Sequence, residues 1–309
     1  MIAAAGAASR TGSSGRIAVS HFSSRAWRRP AFFFALSFFS SLSPAHAWWA
    51  ASHMVCAQIA HDRLSPGARA EADRLIAVLA GDEPRADHFV PAAAWLDQIK
   101  KQGFAGFETW HFVNLEPNAG NGEPIPPPGD HVVSAIEHSL ETLGRKDAGD
   151  FLRAFSLRIL IHLVADAHQP LHCVNRFDAR SPAGDFGGNT FPVRWPSDPK
   201  ANLHILWDDS LGLYPQLAPG EDWRKRIPAA ARELQEMLPP EKLPGWRERD
   251  PRRWALESHR LALEVVYPGI RENEPPSPEY LEKGREVVRQ RLALAAYRLA
   301  DLLETVLGP

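Results

Sequence analysis

Two segments of this chain combine residue types that do metal chemistry at spacings a helix can use. In His162-Leu-Val-Ala-Asp166-Ala-His168-Gln-Pro-Leu-His172, His162 and Asp166 stand four apart, on one face of a helix. His204-Ile-Leu-Trp-Asp208 repeats that spacing. Imidazole and carboxylate without thiolate suit zinc in a hydrolytic site, with manganese and iron as alternatives. Pro170 cannot continue a helical hydrogen-bond ladder, so the chain turns there and His172 points elsewhere. One such pair is ordinarily a solvated face or a hydrogen-bonded pair. Two pairs and His172 within residues 162–208, on apolar helices, point to a metal instead. The flanks Ile159, Leu160, Ile161, Leu163 and Val164 mark a buried helix, and buried Asp and His need partners.

The elements that must position these residues are helical. Met54, Val55, Ile59, then Ala68, Ala72, Leu75, Ile76 and Leu79, follow i, i+3, i+4, i+7 spacing. Ser65-Pro66 and Ser277-Pro278 read as N-caps followed by proline in the first turn. Further helices are expected over 91–101, 131–143, 148–168, 203–212, 221–237, 251–266 and 278–307. Strand alternation is nearly absent, with 190–195 the best candidate for a short hairpin strand. The 27 prolines cluster between helices. The expectation is one all-α domain over 48–309, with at most a short β-hairpin.

Residues 1–47 read as an address. Arg25, Arg28 and Arg29 precede the apolar run 31–42, and Ala45-His46-Ala47 supplies a small-x-small site. That pattern is a secretory signal cut after Ala47, too short for a membrane span. The expected product is exported, periplasmic or secreted, begins at Trp48, and keeps no stable membrane association. The leader holds five Arg and no acidic residue, leaving 30 basic against 37 acidic residues, a net charge of −7. Such a chain is no polycationic module that coats nucleic acid. With two cysteines, Cys56 and Cys173, there is no disulfide framework, and their pairing stays open.

In its motifs the chain resembles the S1/P1 nuclease family of secreted, zinc-dependent, single-strand-specific nucleases, which shares an all-helical trinuclear-zinc fold with bacterial zinc phospholipase C. The matching residues are Trp48, His53, Trp95-Leu96-Asp97, His111-Phe112, the run His162 to His172, and Asn202-Leu203-His204-Ile-Leu-Trp207-Asp208. The last two motifs are specific; a lone His-Phe or Trp-x-Asp means nothing. The resemblance implies three Zn2+. Asp97, His111, His162 and Asp166 would hold one. The α-amino group and carbonyl of Trp48, with His53 and Asp166, would hold the second, so that Asp166 bridges. His172, His204 and Asp208 would hold the third. Cleavage after Ala47 would then create a ligand, because a metal binds an amine only through a free lone pair.

The implied activity is endonucleolytic cleavage of single-stranded DNA and RNA to 5′-phosphate products, with 3′-nucleotidase activity on nucleotides. A zinc cluster acidifies a shared water to hydroxide, Asp97 orients it, and attack on phosphorus is in line. Three divalent ions would add +6 where phosphate must sit. The resemblance makes Phe112 the base-stacking ring, and Gly188 and Asn189 part of a substrate loop. Asn114 and Asp209 stand where the fungal members place Asp and Asn, which puts base preference in question. The 117–128 loop has no evident counterpart, and no obligate protein partner is evident. Two alternatives compete. A zinc phospholipase C is expected to end its ligand set with Glu where this chain has Asp208, and to have Asn where His168 stands. A non-catalytic exported zinc-binding protein is expected to carry flexible His-rich tracts.

Overall fold

The computed structural model describes residues 48–80, 87–117, 122–196 and 198–308. The chain divides into Met1–Leu42, wholly outside the described residues, and Ser43–Pro309, which holds every element named below. The leader expected over 1–47 therefore lies outside what is described.

Among the described residues ten α-helices run in order: α1 Ala50–Arg63, α2 Pro66–Val78, α3 Phe89–Ala92, α4 Trp95–Lys101, α5 Val132–Gly144, α6 Asp150–Asp166, α7 Leu203–Asp208, α8 Ile227–Met237, α9 Pro251–Leu261 and α10 Pro278–Leu307. The all-α expectation holds. Capping chemistry sets several starts. Ser65 Oγ accepts from Ala68 N–H, Asp250 Oδ1 from Arg252 N–H and Ser277 Oγ from Tyr280 N–H, each followed by proline.

Two helices are buried nearly all round and form the centre of the fold. In α1 every residue from Ala51 to Ala57 is buried, and in α6 so is every residue from Ser156 to Asp166. α1 packs against α10, α8 and α3, while α6 packs against α5, α2 and α10. Burying one Leu or Ile of these faces contributes about 1.5–3 kcal/mol. The polar residues these two helices carry are therefore placed in the least hydrated part of the molecule.

Several expectations are corrected. The helix expected over 91–101 breaks at Ala93–Ala94, where the Ala93 carbonyl accepts from His162 Nδ1 at 2.7 Å. The one expected over 203–212 ends at Asp208, followed by a 3-10 turn with Ser210 and Leu211 at positive φ. Helix 221–237 begins as a short 3-10 turn before α8, and 251–266 finishes as a π turn over Ala262–Val266. No strand forms over 190–195. Only the isolated bridges Pro192–Asn202 and Trp195–Asp198 occur among the described residues, because that backbone pairs locally with the 198–202 turn. No helix among the described residues is long and apolar enough to cross a membrane. Cys56 and Cys173 are free, buried thiols; burial pushes Cys173 up to about 12 and raises Cys56 as well.

Candidate metal centre

The last turns of α6 deliver His162 and Asp166 side by side, both fully buried, with Nε2 of the first 3.2 Å from Oδ2 of the second. A 3-10 turn at Glu108–His111 brings His111 Nδ1 to 2.9 Å from the same oxygen and 3.1 Å from His162 Nε2. From α4, Asp97 Oδ1 lies 3.9 Å from both imidazoles. From α1, His53 stacks on the His162 ring at 4.0 Å and points Nε2 at Asp166 Oδ1, 3.3 Å away, without hydrogen-bond geometry. Trp48 is buried beside them, its indole donating to the Ala165 carbonyl of α6 at 3.0 Å.

A second group adjoins the first. Past the α6 end a 3-10 turn over Pro170–Cys173 carries His172, and α7 carries His204 and Asp208. His172 Nε2 is 3.5 Å from Asp208 Oδ1, and His204 Nε2 is 3.4 Å from Asp208 Oδ2. The helix break forced by Pro170 is thus what aims His172 at α7.

Three sets of donor atoms lie within 4.8 Å of one another and could each hold a metal ion: His53, Asp97 and His162; His111, His162 and Asp166; His172, His204 and Asp208. His53 is within reach of both Asp166 and the Asp97–His162 pair. The donors are aimed inward and left open. Among buried atoms without a hydrogen-bond partner are both nitrogens of His53, Asp97 Oδ1, Asp166 Oδ1, His172 Nε2, His204 Nε2 and Asp208 Oδ2. His53 can turn only one lone pair inward, so six acceptors converge; unpaired buried acceptors cost about 1–3 kcal/mol each, and six in one place need a cationic partner. Meanwhile the outward nitrogens are fixed. His162 Nδ1 donates to Ala93 O, His172 Nδ1 to His111 O at 2.7 Å and His204 Nδ1 to Gly187 O at 2.8 Å, which turns each Nε2 into the cluster; those of His172 and His204 have no partner, and that of His162 meets His111.

The electrostatics agree with that fit. Burial pushes the Asp166 carboxyl up, but His162, His111 and His53 outweigh it and hold the group well below the usual carboxylate range. Burial opposes protonation of His162, yet Asp166 and Asp97 raise it to about 9. His53 and His204 are lowered, chiefly by burial. The raised His162 shows that the carboxylates facing it call for a positive charge at that spot, and a divalent cation bound at its Nε2 would supply that charge in place of the proton.

Of the residues expected to meet substrate, Phe112 and Asn114 are half-buried just past His111. Asn189 is half-buried, its Nδ2 bonded to Phe186 O at 2.8 Å. Gly188 is buried at φ 80, against Leu203. Asp209 is buried, and its Oδ2 accepts from Trp195 Nε1 at 2.8 Å. His168 turns away from the donor cluster: Nδ1 donates to Val164 O and Nε2 accepts from Arg298.

Two residues absent from the sequence-level site belong to it. Gln169 is fully buried and donates from Nε2 to Asp208 Oδ1 at 2.7 Å, while its Oε1 accepts from Leu171 N–H. One amide thereby orients Asp208 and the turn bearing His172. Gly187, at φ 64, carries the carbonyl that anchors His204, and a Cβ there would collide with the Leu171 carbonyl. Gln169 lies inside the His162–His172 motif, which was its signal; Gly187 had only a generic Gly-Gly.

Comparison with known proteins agrees with this geometry. The family model described as S1/P1 Nuclease matches residues 48–308. Endonuclease 1 of Arabidopsis thaliana is 25% identical over 287 residues, covering 86% of this chain and 89% of its own. Endonuclease 2 of the same plant is 25% identical over 282 residues, 85% and 91% of the two chains. Nuclease P1 of Penicillium citrinum is 23% identical over 292 residues, 84% and 98%.

Proposed function

The chain belongs to the S1/P1 nuclease family, and from that premise we propose that this nuclease is an exported trizinc endonuclease of single-stranded DNA and RNA. Its products carry 5′-phosphates, and it also removes phosphate from 3′-nucleotides. The observation that carries the metal part is the set of six inward, unpartnered donor atoms. Asp97, His111, His162 and Asp166 would hold one zinc; the Trp48 amine and carbonyl, His53 and Asp166 a second; His172, His204 and Asp208 the third. Export with cleavage after Ala47 frees the Trp48 amine.

When bound, the zinc ions supply Lewis acidity and an acidified water. The protein's own groups do the rest. Asp97, buried but the most exposed of the three carboxylates, accepts a hydrogen bond from the attacking water through its other oxygen, Oδ2, and so aims it. Asp166 keeps its carboxylate ionised through the imidazoles around it. His162, His172 and His204 are locked in one tautomer by backbone carbonyls, so no reorientation is needed during reaction. Phe112 stacks the base beside the reacting phosphate, with Asn114, Asn189, Gly188 and Asp209 shaping the base-edge contacts. A recessed site of this kind admits a loose strand and excludes a stiff duplex.

The test is cleavage of a single-stranded oligonucleotide by protein with an authentic Trp48 N-terminus, before and after chelation and zinc restoration. The expected result is 5′-phosphate ends, lost on chelation and recovered with zinc, and little cleavage of duplex. Equal rates on duplex overturn the strand preference; no cleavage by zinc-loaded protein overturns the substrate class.

A further inference from the structure

Resting on the single-strand reading above, we propose that an aromatic platform beside α6 forms a second base-stacking site, which takes nucleotides beyond the one held at the metal centre. It begins on the helix that carries the centre. At 100° per residue, Phe155 and Phe151, seven and eleven residues before His162, point within about 20° of its direction, some 10 and 16 Å back along the axis. The catalytic face of α6 thus continues as an aromatic face.

The segment leading into His111 extends it. Phe107 meets Phe155 at 5.5 Å and Trp110 at 4.6 Å, and Phe104 meets Phe107 at 5.2 Å. Trp110 directly precedes the cluster residue His111 and is followed two residues on by Phe112, so the ring cluster ends at the segment that carries both. Its outer members are open: Phe104 is 55% exposed and Phe151 62%. Phe104 is also seated, because a Cβ on Gly106 would come 3.3 Å from its ring edge. A large ring held at that exposure gains nothing for the core; its cost in water is offset when a base covers it. The ring cluster is carried by the same two segments that deliver His162 and His111, and that shared placement selects the occupant, the flanking bases of the same strand. Exposed Lys101, at the end of α4 and three residues before Phe104, supplies a cation for their phosphates.

The experiment compares Phe104→Ala, Phe151→Ala and the double variant with the parent, all zinc-loaded, on a dinucleotide and on a twelve-nucleotide strand. Stacking is worth about 1–3 kcal/mol per base, so KM for the long strand should rise about tenfold in the double variant. The dinucleotide KM and both kcat values should stay within twofold. Anisotropy with a labelled phosphorothioate strand should show the same rise in Kd without turnover. Unchanged affinity for the long strand, or an equal change on both substrates, overturns the platform. Unaltered strand affinity with lost binding to phosphatidylcholine vesicles would reassign the patch to a lipid surface. Failure of the parent to cleave either substrate sinks the nuclease reading alone, since anisotropy still decides the platform.

Discussion

The two halves of the metal centre use the same residue types at the same i, i+4 spacing, yet the fold holds them differently. Around Asp208, each ligand has its second polar atom tied down: His172 to His111 O, His204 to Gly187 O, and Asp208 Oδ1 to Gln169. Around Asp166, three imidazoles converge on one carboxylate; His162 is tied to Ala93 O, but His53 has no partner on either nitrogen. The first half is pre-organised by neutral hydrogen bonds. The second is held by charge, and its balance depends on what cation sits there. Geometry supplied by backbone carbonyls survives loss of an ion; geometry supplied by opposed charges does not.

The largest break in that contrast should come from Asp166→Asn. It removes the charge that three imidazoles face, so zinc content should fall by two per chain and kcat/KM by at least about a hundredfold. Elemental analysis and steady-state rates read both, and full zinc content would refute the bridging role. A residue left ahead of Trp48 should remove one zinc from the Asp166 half only, as measured by stoichiometry against the Trp48-initiated protein. If the Asp208 half loses its ion as well, the halves are not independent.

Gln169→Leu tests the pre-organised half. Zinc bound by His172, His204 and Asp208 should weaken about 10- to 100-fold in competition with a chelator, with the other ions unaffected. An unchanged affinity would show that Asp208 needs no amide to orient it.

The smallest effect concerns His168, which supports both halves from behind. Burial first, then Arg291 and Arg298, holds it well below the usual imidazole value of 6.5. The unfolded chain therefore takes up a proton at this position as pH falls through about 6.5, while the folded protein does not. Its contribution to stability is complete above that pH and declines below it, by about 1.4 kcal/mol per pH unit. In His168→Gln, which still accepts from Arg298, the unfolding free energy from urea titrations should fall between pH 6.5 and 5.5 by about 1 kcal/mol less than in the parent. An identical slope would mean that His168 is protonated in the fold.

Much of this was legible in the chain. The helical class followed from apolar spacing, and the starts of α2 and α10 from Ser-Pro caps. His162 with Asp166, and His204 with Asp208, followed from the pitch of a helix, and Pro170 announced the turn at His172. Other features had no local signal. The break at Ala93 exists because a histidine 69 residues away needs its carbonyl. The supposed strand at 190–195 is split between its own turn and the 273–274 segment, which takes the Arg194 N–H and bonds the Pro192 carbonyl. Gln169 and Gly187 acquire meaning only through Asp208 and His204.

What the sequence determined by itself is the local part: a helical chain, two His/Asp pairs each sharing a helix face, and a family pattern of ligands. Those follow from residue spacing and backbone pitch, which neighbours in the chain dictate. The tertiary structure decided which carboxylate oxygen each imidazole faces, which half is tied by carbonyls, and that His53 and His111 meet at Asp166. Those depend on how α1 and α6 bury their faces against the rest of the fold, and packing among distant segments has no period to read.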